Sequence, residues 1–237
     1  MEQGATHFRG GCWKGQNRPI VGGKPAYWGL GKKGVKILSS IQSKLKIPCV
    51  TEVQSIEQAE YCLEHDIFML QVGARHMQNF PLLRFLAKQK KTVILKRGLG
   101  NTTDEWLGAA EHLGGPNNVI LCERGTVHFD RTEKIRWRLD IVAMAFIKQN
   151  TKYACVGDPS HGSGDRSLVI PLSRAVLSFA DGLMVEVHEN PTDSPTDANQ
   201  TIDFSQFREI AKEYRNPCCC SEGDTDGQGK GRIIITE

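Results

Sequence analysis

Short apolar runs recur along the chain, each followed by a longer stretch in which apolar residues return at every third or fourth position. The short runs read as strands, at Ala5–Arg9, Cys49–Val53, Ile67–Gly73, Thr92–Lys96, Asn118–Glu123, Tyr153–Val156 and Gly182–Val187. The stretches between them read as amphipathic helices, at Lys33–Leu45, Ile56–Glu64, Phe80–Lys88, Thr103–Leu113, Ile135–Lys148 and Pro171–Phe179. In the fourth of these, Trp106, Leu107, Ala110 and Leu113 form one apolar face. Thr102 or Thr103 ahead of Asp104 and Glu105 offers it an N-cap and an acidic first turn. Strands and helices alternating at this spacing imply parallel strands joined by crossover helices. The expected fold class is α/β, a (β/α)8 TIM barrel. A doubly wound sheet is the alternative, but the Gly-rich phosphate loop expected after its first strand is missing. Seven strands are recognisable where a closed barrel takes eight, so the pattern predicts a barrel over residues 1–215 that is incomplete at the N-terminus. Residues 216–237, rich in Gly and polar side chains, read as a disordered low-complexity tail.

Composition narrows the function more than the fold. The 237 residues are 39% hydrophobic, enough for one large core, and the net charge is only +3. That balance argues against nucleic acid as a partner, and no apolar run approaches a membrane span. The N-terminus lacks the basic region and apolar core of a secretory signal. Eight cysteines are dispersed, with Cys49, Cys122 and Cys155 inside strand runs, where a thiol serves as a small hydrophobe. A reducing, cytoplasmic location is expected. Cys218, Cys219 and Cys220 lack a second pair at finger-like spacing and carry no metal expectation.

Charge placement is more telling than charge total. Strand runs end in Arg75, in Lys96-Arg97, in Glu123-Arg124 and, more loosely, in Arg9. Two later runs end in candidate metal ligands, through Asp158-Pro-Ser-His161 and through Glu186-Val-His188. A buried strand has no structural need for a charge at its carboxyl end. Parallel strands bring all those ends to one rim, where α/β proteins bind ligands. Several cations converging there imply an anion, a phosphate or a carboxylate.

The motifs Gln71-Val-Gly-Ala-Arg-His-Met-Gln-Asn-Phe80, Leu95-Lys-Arg-Gly98, Glu105-Trp-Leu-Gly-Ala-Ala-Glu111, Asn118-Val-Ile-Leu-Cys-Glu-Arg-Gly125, Asp158-Pro-Ser-His-Gly-Ser-Gly164 and Asp181-Gly-Leu-Met-Val-Glu-Val-His188 carry a resemblance. Together they resemble type I 3-deoxy-D-arabino-heptulosonate 7-phosphate (DAHP) synthases, from about Ala5 to about Tyr214. The related 3-deoxy-octulosonate 8-phosphate synthases usually differ over the stretch Gly73–Asn79. The resemblance implies a transferase of the shikimate pathway that joins phosphoenolpyruvate to erythrose 4-phosphate or a related aldose phosphate. It implies that Arg75, Lys96 and Arg124 grip the phosphate, while Arg9 and Lys14 face the carboxylate and the reacting centre. Arginine suits a phosphate because its fork donates two parallel hydrogen bonds. Arg97 and Glu123 are expected to pair behind the site, and Glu52 to orient Lys96 or Lys14 or to sit on an ordinary loop.

The resemblance also implies a divalent metal of Mn, Fe, Co or Zn type, held by His161, Glu186 and Asp197, with Lys14 and His161 as the catalytic pair. Such an ion polarises an aldehyde oxygen. The family's fourth ligand, a cysteine in a Gly-Pro-Cys-Ser motif on the first strand, has no counterpart here, so weak binding is expected. The family's acceptor motif Lys-Pro-Arg-Thr is replaced by Lys14-Gly-Gln-Asn-Arg-Pro19, followed by an apparent insertion, Ile20–Trp28. Arg18 is the candidate to restore the lost guanidinium. The family is commonly oligomeric, so a homo-oligomer is expected. The competing reading is a catalytically silent relative, or a truncated fragment, that binds phosphoenolpyruvate or another subunit.

Overall fold

The computed structural model describes residues 4–15, 19–21, 24–129, 136–215 and 233–236. In chain order the elements are β1 (His7–Arg9), β2 (Ile20–Val21), β3 (Lys24–Pro25), α1 (Gly31–Leu45), β4 (Cys49–Val53), α2 (Ile56–Glu64), β5 (Met69–Val72), α3 (Phe80–Ala87), β6 (Val93–Lys96), α4 (Thr103–His112), β7 (Val119–Glu123), α5 (Ile141–Asn150), β8 (Ala154–Gly157), α6 (Pro159–Ser163), α7 (Arg166–Leu177), β9 (Gly182–Val185), α8 (Phe204–Arg215) and β10 (Ile233–Thr236). Eight strands close into a parallel barrel in the order β1-β10-β9-β8-β7-β6-β5-β4, while β2 and β3 form a separate antiparallel ribbon.

The expected barrel is present, but the count of seven strands needs correcting. The eighth strand is β10, whose Ile234 pairs Leu183 on one side while Thr236 pairs Phe8 on the other. It comes from the stretch expected to be a disordered tail, and it fills the slot beside β1 that looked empty at the N-terminus. Closure leaves no open edge of the kind that invites aggregation. Residues 216–232, with the three adjacent cysteines, lie outside the described residues.

Side chains alternate along each strand, and the alternation builds two cores. Val50, Met69, Ile94, Ile120, Cys122, Val156, Met184 and Ile235 point inward and fill the barrel with branched and sulfur-bearing groups. The residues between them, such as Val53, Leu70, Leu95, Leu121, Cys155, Leu183 and Ile234, face the helices and meet Leu83, Trp106 and Ile147. Trp106 is fully buried and donates its indole N–H to the Leu95 carbonyl at 3.2 Å, which pins α4 to β6. The start of that helix is a complete capping box: Thr102 Oγ1 accepts from Glu105 N, and Glu105 accepts from Thr102 N at 2.8 Å.

Helix boundaries differ from the pattern in instructive ways. The helix expected from Ile135 begins at Ile141, because Asp140 Oδ1 accepts from Ala143 N at 2.9 Å and caps it there. The helix expected from Pro171 begins five residues earlier, at Arg166, capped by Asp165, and holds the proline in its interior. Helix α8 follows the same rule as its neighbours, with Phe207, Ile210 and Ala211 buried on one face, and was missed in the pattern.

If β10 completes the barrel, Ile235→Ala opens a cavity in the inner core. The expected loss is about 2–5 kcal/mol of unfolding free energy, read by denaturant titration. A loss under about 0.5 kcal/mol, the scale of a surface substitution, means the strand does not sit there.

Candidate functional site

The inward-facing register continues past the apolar layer and ends in charge. Two residues beyond Val50, Ile94, Cys122, Val156 and Met184 stand Glu52, Lys96, Arg124, Asp158 and Glu186, so the pleat alone aims all five at the mouth of the barrel. Arg9, at the end of β1, joins them. A cavity of about 620 Å³ opens there, and its wall includes Arg9, Lys14, Arg75, Lys96, Arg124 and His161. Every expected anion-binding residue within the described part of the chain is thus on one cavity. Arg18 lies outside the described residues.

Asp158 organises the centre of the rim. Its Oδ2 lies 2.6 Å from Lys96 Nζ and 2.8 Å from His161 Nδ1, while Oδ1 accepts from His161 N at 3.0 Å. Lys96, expected as a phosphate ligand, is already paired through a buried charge-assisted bond with Asp158. Burial alone raises the Asp158 carboxyl, but the charges of His161 and Lys96 outweigh it and hold the group well below its ordinary value. Beneath this pair the Cys122 thiol, fully buried, is pushed up to about 12 and stays protonated at neutral pH.

Glu186 is the second anchor. His161 Nε2 lies 3.4 Å from its Oε1, Gln200 Nε2 donates to its Oε2 at 2.9 Å, and Ser160 Oγ accepts from its backbone N–H at 3.1 Å. Asp197, exposed and left-handed at φ 55°, completes a set with His161 and Glu186 whose ligand atoms all lie within 4.8 Å of one another. The set suits a divalent ion: one imidazole whose Nδ1 is turned to a carboxylate, and two carboxylate arms. Among the described residues no cysteine joins it. Cys12, near this end of the chain, is buried with its backbone N–H on Thr51 Oγ1.

A buried relay supports Arg9. Its Nη1 donates to Gln71 Oε1 at 3.4 Å, and Gln71 Nε2 donates to Glu52 Oε2 at 2.9 Å. Gly73 lies against it, and a Cβ there would displace the Glu52 carboxylate. Glu52 thus orients Arg9 through an amide, and its charge also favours the ammonium of Lys14. Burial lowers the Lys14 ammonium, and the nearby Arg9 lowers it further, against the pull of Glu186, Asp197 and Glu52. Outside the cavity Arg97 donates to Glu123 at 3.1 Å and to Asp140 at 2.8 Å, so this pair holds the rim as expected. His188 is half-buried, with Nδ1 accepting from Asn190 N at 3.1 Å.

Arg124 is held on the rim against the cost of burial. Its Nη1 is buried without a hydrogen-bond partner among the described residues, and burial lowers its pKa against the pull of Asp158. Its guanidinium lies 5.6 Å from the Trp137 ring, and Arg136 lies 5.5 Å from the same ring. Arg136 and Trp137 line the cavity and were not singled out in the sequence, because the pattern put them in the helix expected from Ile135, whereas the helix starts at Ile141. Gln71 was also missed, and Asp158 was read only as part of a run ending in candidate metal ligands, although both follow from the inward register of β5 and β8. The insertion Ile20–Trp28 forms the β2–β3 ribbon at the mouth, where Ala26 and Tyr27 reach the cavity. Its return is fixed by Gly29, whose φ of 87° and close approach to the Cys12 carbonyl exclude any side chain.

Comparison with known proteins places this geometry. The DAHP synthetase I family matches residues 8–217. A phospho-2-dehydro-3-deoxyheptonate aldolase of Thermotoga maritima is 38% identical over 218 residues, covering 90% of this chain and 62% of that protein. A 2-dehydro-3-deoxyphosphooctonate aldolase of Cupriavidus necator is 26% identical over 206 residues, or 78% of this chain and 69% of that one. The crystal structure of the DAHP synthase from Thermotoga maritima superposes with a TM-score of 0.79 at 37% identity, covering 88% of this chain and 60% of that one. A truncated form of the synthase from the same organism gives 0.76 at 37% identity, over 88% and 75%. The chain therefore spans about three fifths of the length of the first relative. Among the described residues no helix is long and apolar enough to cross a membrane.

Arg124→Met removes a buried charge that lacks full pairing. The expected result is a ligand-free protein more stable by about 1 kcal/mol, seen as a Tm higher by roughly 2–4 °C, with stabilisation by added inorganic phosphate abolished. A lower Tm with phosphate stabilisation retained would contradict this placement of the guanidinium.

Proposed function

The chain belongs to the DAHP synthetase I family, and from that membership and the geometry of the rim we propose that it condenses phosphoenolpyruvate with an aldose phosphate. The acceptor is erythrose 4-phosphate or a close relative, and inorganic phosphate is released. The observation that carries this reading is the pairing of two subsites in one cavity. Arg124, whose buried Nη1 has no partner among the described residues, lines the cavity with Arg75 and Lys96, and His161 and Asp197 of the candidate metal set line the same cavity.

In this reading Arg75, Lys96 and Arg124 hold the phosphate of phosphoenolpyruvate, and Arg9 and Lys14 hold its carboxylate. Arg9 is pre-oriented by Gln71 and Glu52, so little side-chain freedom is lost on binding. His161, Glu186 and Asp197 would hold a divalent ion of Mn, Fe, Co or Zn type, whose contribution is Lewis-acid polarisation of the acceptor aldehyde. Carbon 3 of phosphoenolpyruvate forms the new bond to the aldehyde carbon, water adds at carbon 2, and the carbon 2–oxygen bond to phosphate breaks. Lys14 Nζ, its ammonium made more acidic by burial, is placed to give a proton to the alkoxide formed from the aldehyde. The barrel itself excludes bulk water from below, through its inner apolar layer.

One observation favours the competing reading of a silent phosphoenolpyruvate binder: among the described residues the metal set has three protein ligands and no thiolate. Turnover separates the two. The protein is incubated with phosphoenolpyruvate, a divalent metal and either erythrose 4-phosphate or arabinose 5-phosphate, and phosphate release and the condensed sugar acid are measured. Phosphate release that requires both metal and acceptor is expected, and it should fall at least about 100-fold in Lys14→Met, the scale of a lost general acid. No release with either acceptor and any of the four metals overturns the enzyme reading.

A further inference from the structure

Asp158 is the group through which the two halves of the cavity touch. One carboxylate oxygen, Oδ2, faces both Lys96 Nζ at 2.6 Å and His161 Nδ1 at 2.8 Å. Lys96 belongs to the cluster proposed for phosphate, and His161 to the set proposed for a metal. The carboxylate is fully buried and accepts a hydrogen bond from Lys96, while His161 Nδ1 is close to the same oxygen but buried without an aligned partner among the described residues. It cannot swing away, because Oδ1 caps α6 by accepting from His161 N at 3.0 Å, and the Asp158 backbone N–H is tied to the Glu123 carbonyl at 2.8 Å.

We propose that Asp158 is a positioning residue that couples anion binding at Lys96 to divalent-metal binding at His161, by sharing one carboxylate oxygen between them. This rests on the metal and phosphate subsites proposed above. The sign follows from the geometry. An oxyanion arriving at Lys96 takes up part of the ammonium's charge, and its hold on Oδ2 weakens. Oδ2 is then released to align with the orphaned imidazole Nδ1, and a hydrogen bond there would make Nε2 a better electron-pair donor toward the metal. Nε2 already faces Glu186 Oε1 at 3.4 Å, where such an ion would sit. Anion and metal therefore bind with positive cooperativity, and by linkage each tightens the other by the same factor.

The test measures Mn2+ affinity by calorimetry on the full chain, with inorganic phosphate present or replaced by chloride at equal ionic strength. Wild-type protein is expected to bind Mn2+ about fivefold or more tightly with phosphate. In Asp158→Asn the affinity without phosphate should fall about 10-fold or more, and the phosphate enhancement should shrink to less than half its wild-type factor. A merely structural aspartate would lower stability and leave the enhancement in place, so retention of the full factor in a folded Asp158→Asn protein overturns the proposal. Should that variant not fold, nitrogen-15 NMR of histidine-labelled wild-type protein decides, with the His161 signal assigned by its loss in His161→Gln. The Nδ1–H tautomer, with its bonded proton moving downfield when phosphate is added, is expected. The Nε2–H tautomer, or a proton signal indifferent to phosphate, overturns the coupling. Wild-type protein that binds no Mn2+ overturns this proposal and the metal site together. Coupled binding without condensation leaves the coupling standing and overturns the enzyme reading alone.

Discussion

Closure of the barrel by β10 is the constraint on which the rest of the molecule depends. Arg9 stands at the end of β1 and Glu186 just past the end of β9, and β10 is the strand between them. Without it the two strands would be free edges, and nothing in the sheet would fix their separation. With it, Arg9 Nη2 lies 4.0 Å from Glu186 Oε1, and the proposed carboxylate and metal subsites meet. Parallel pairing does the remaining work, because it brings every strand's carboxyl end to the same side. A site assembled in this way is as rigid as the sheet beneath it.

That rigidity is put to electrostatic use. Arg9, Lys96 and Arg124 are brought together on one inward-facing layer, and the charges of Arg75 and Arg136 press on Arg124 from nearby. The carboxylates that would neutralise them are few and already engaged: Asp158 with Lys96 and His161, Glu52 with Gln71, Glu186 with Gln200. Behind the layer, Glu123 and Asp140 are both engaged by Arg97. The Glu123 carboxyl, raised by burial, is held in place by Arg97 and by the Gly125 N–H at 2.7 Å. Such an arrangement spends folding stability to keep a positive potential where a ligand arrives, the usual tension between a stable fold and a prepared site.

Much of this was legible in the chain, and the limits have physical causes. Period-two alternation ending in charge located Lys96, Arg124 and Glu186, because a pleat fixes side-chain direction two residues ahead. The eighth strand was hidden because Ile233-Ile-Ile-Thr236 follows a long polar, Gly-rich stretch with no helical period to announce a crossover. The pairing of Lys96 with Asp158 spans 62 residues of sequence and depends on strand order, which periodicity does not encode. Arg136 and Trp137 reach the cavity from a loop that the apolar pattern had assigned to a helix. The start of α5 at Ile141 was set by a single side-chain cap, a local bond that outweighed the apolar pattern upstream.

The ribbon at the mouth has a consequence for how such a protein changes over time. Among the described residues β2 and β3 pair with each other and with no barrel strand, and their flanks are tied to the barrel by backbone bonds, Lys14 N to the Trp28 carbonyl at 3.0 Å and Gly31 N to the Cys12 carbonyl at 2.7 Å. Residues between these anchors can be lengthened, shortened or recoloured without moving a barrel strand. Lys14 and Tyr27 nevertheless face the same cavity as the fixed cations. The stretch of wall around Ala26 and Tyr27 is therefore free to drift while Lys14 and the strand-end cations stay in place, so new selectivity can be sampled by mutation without first unmaking the anion-binding floor.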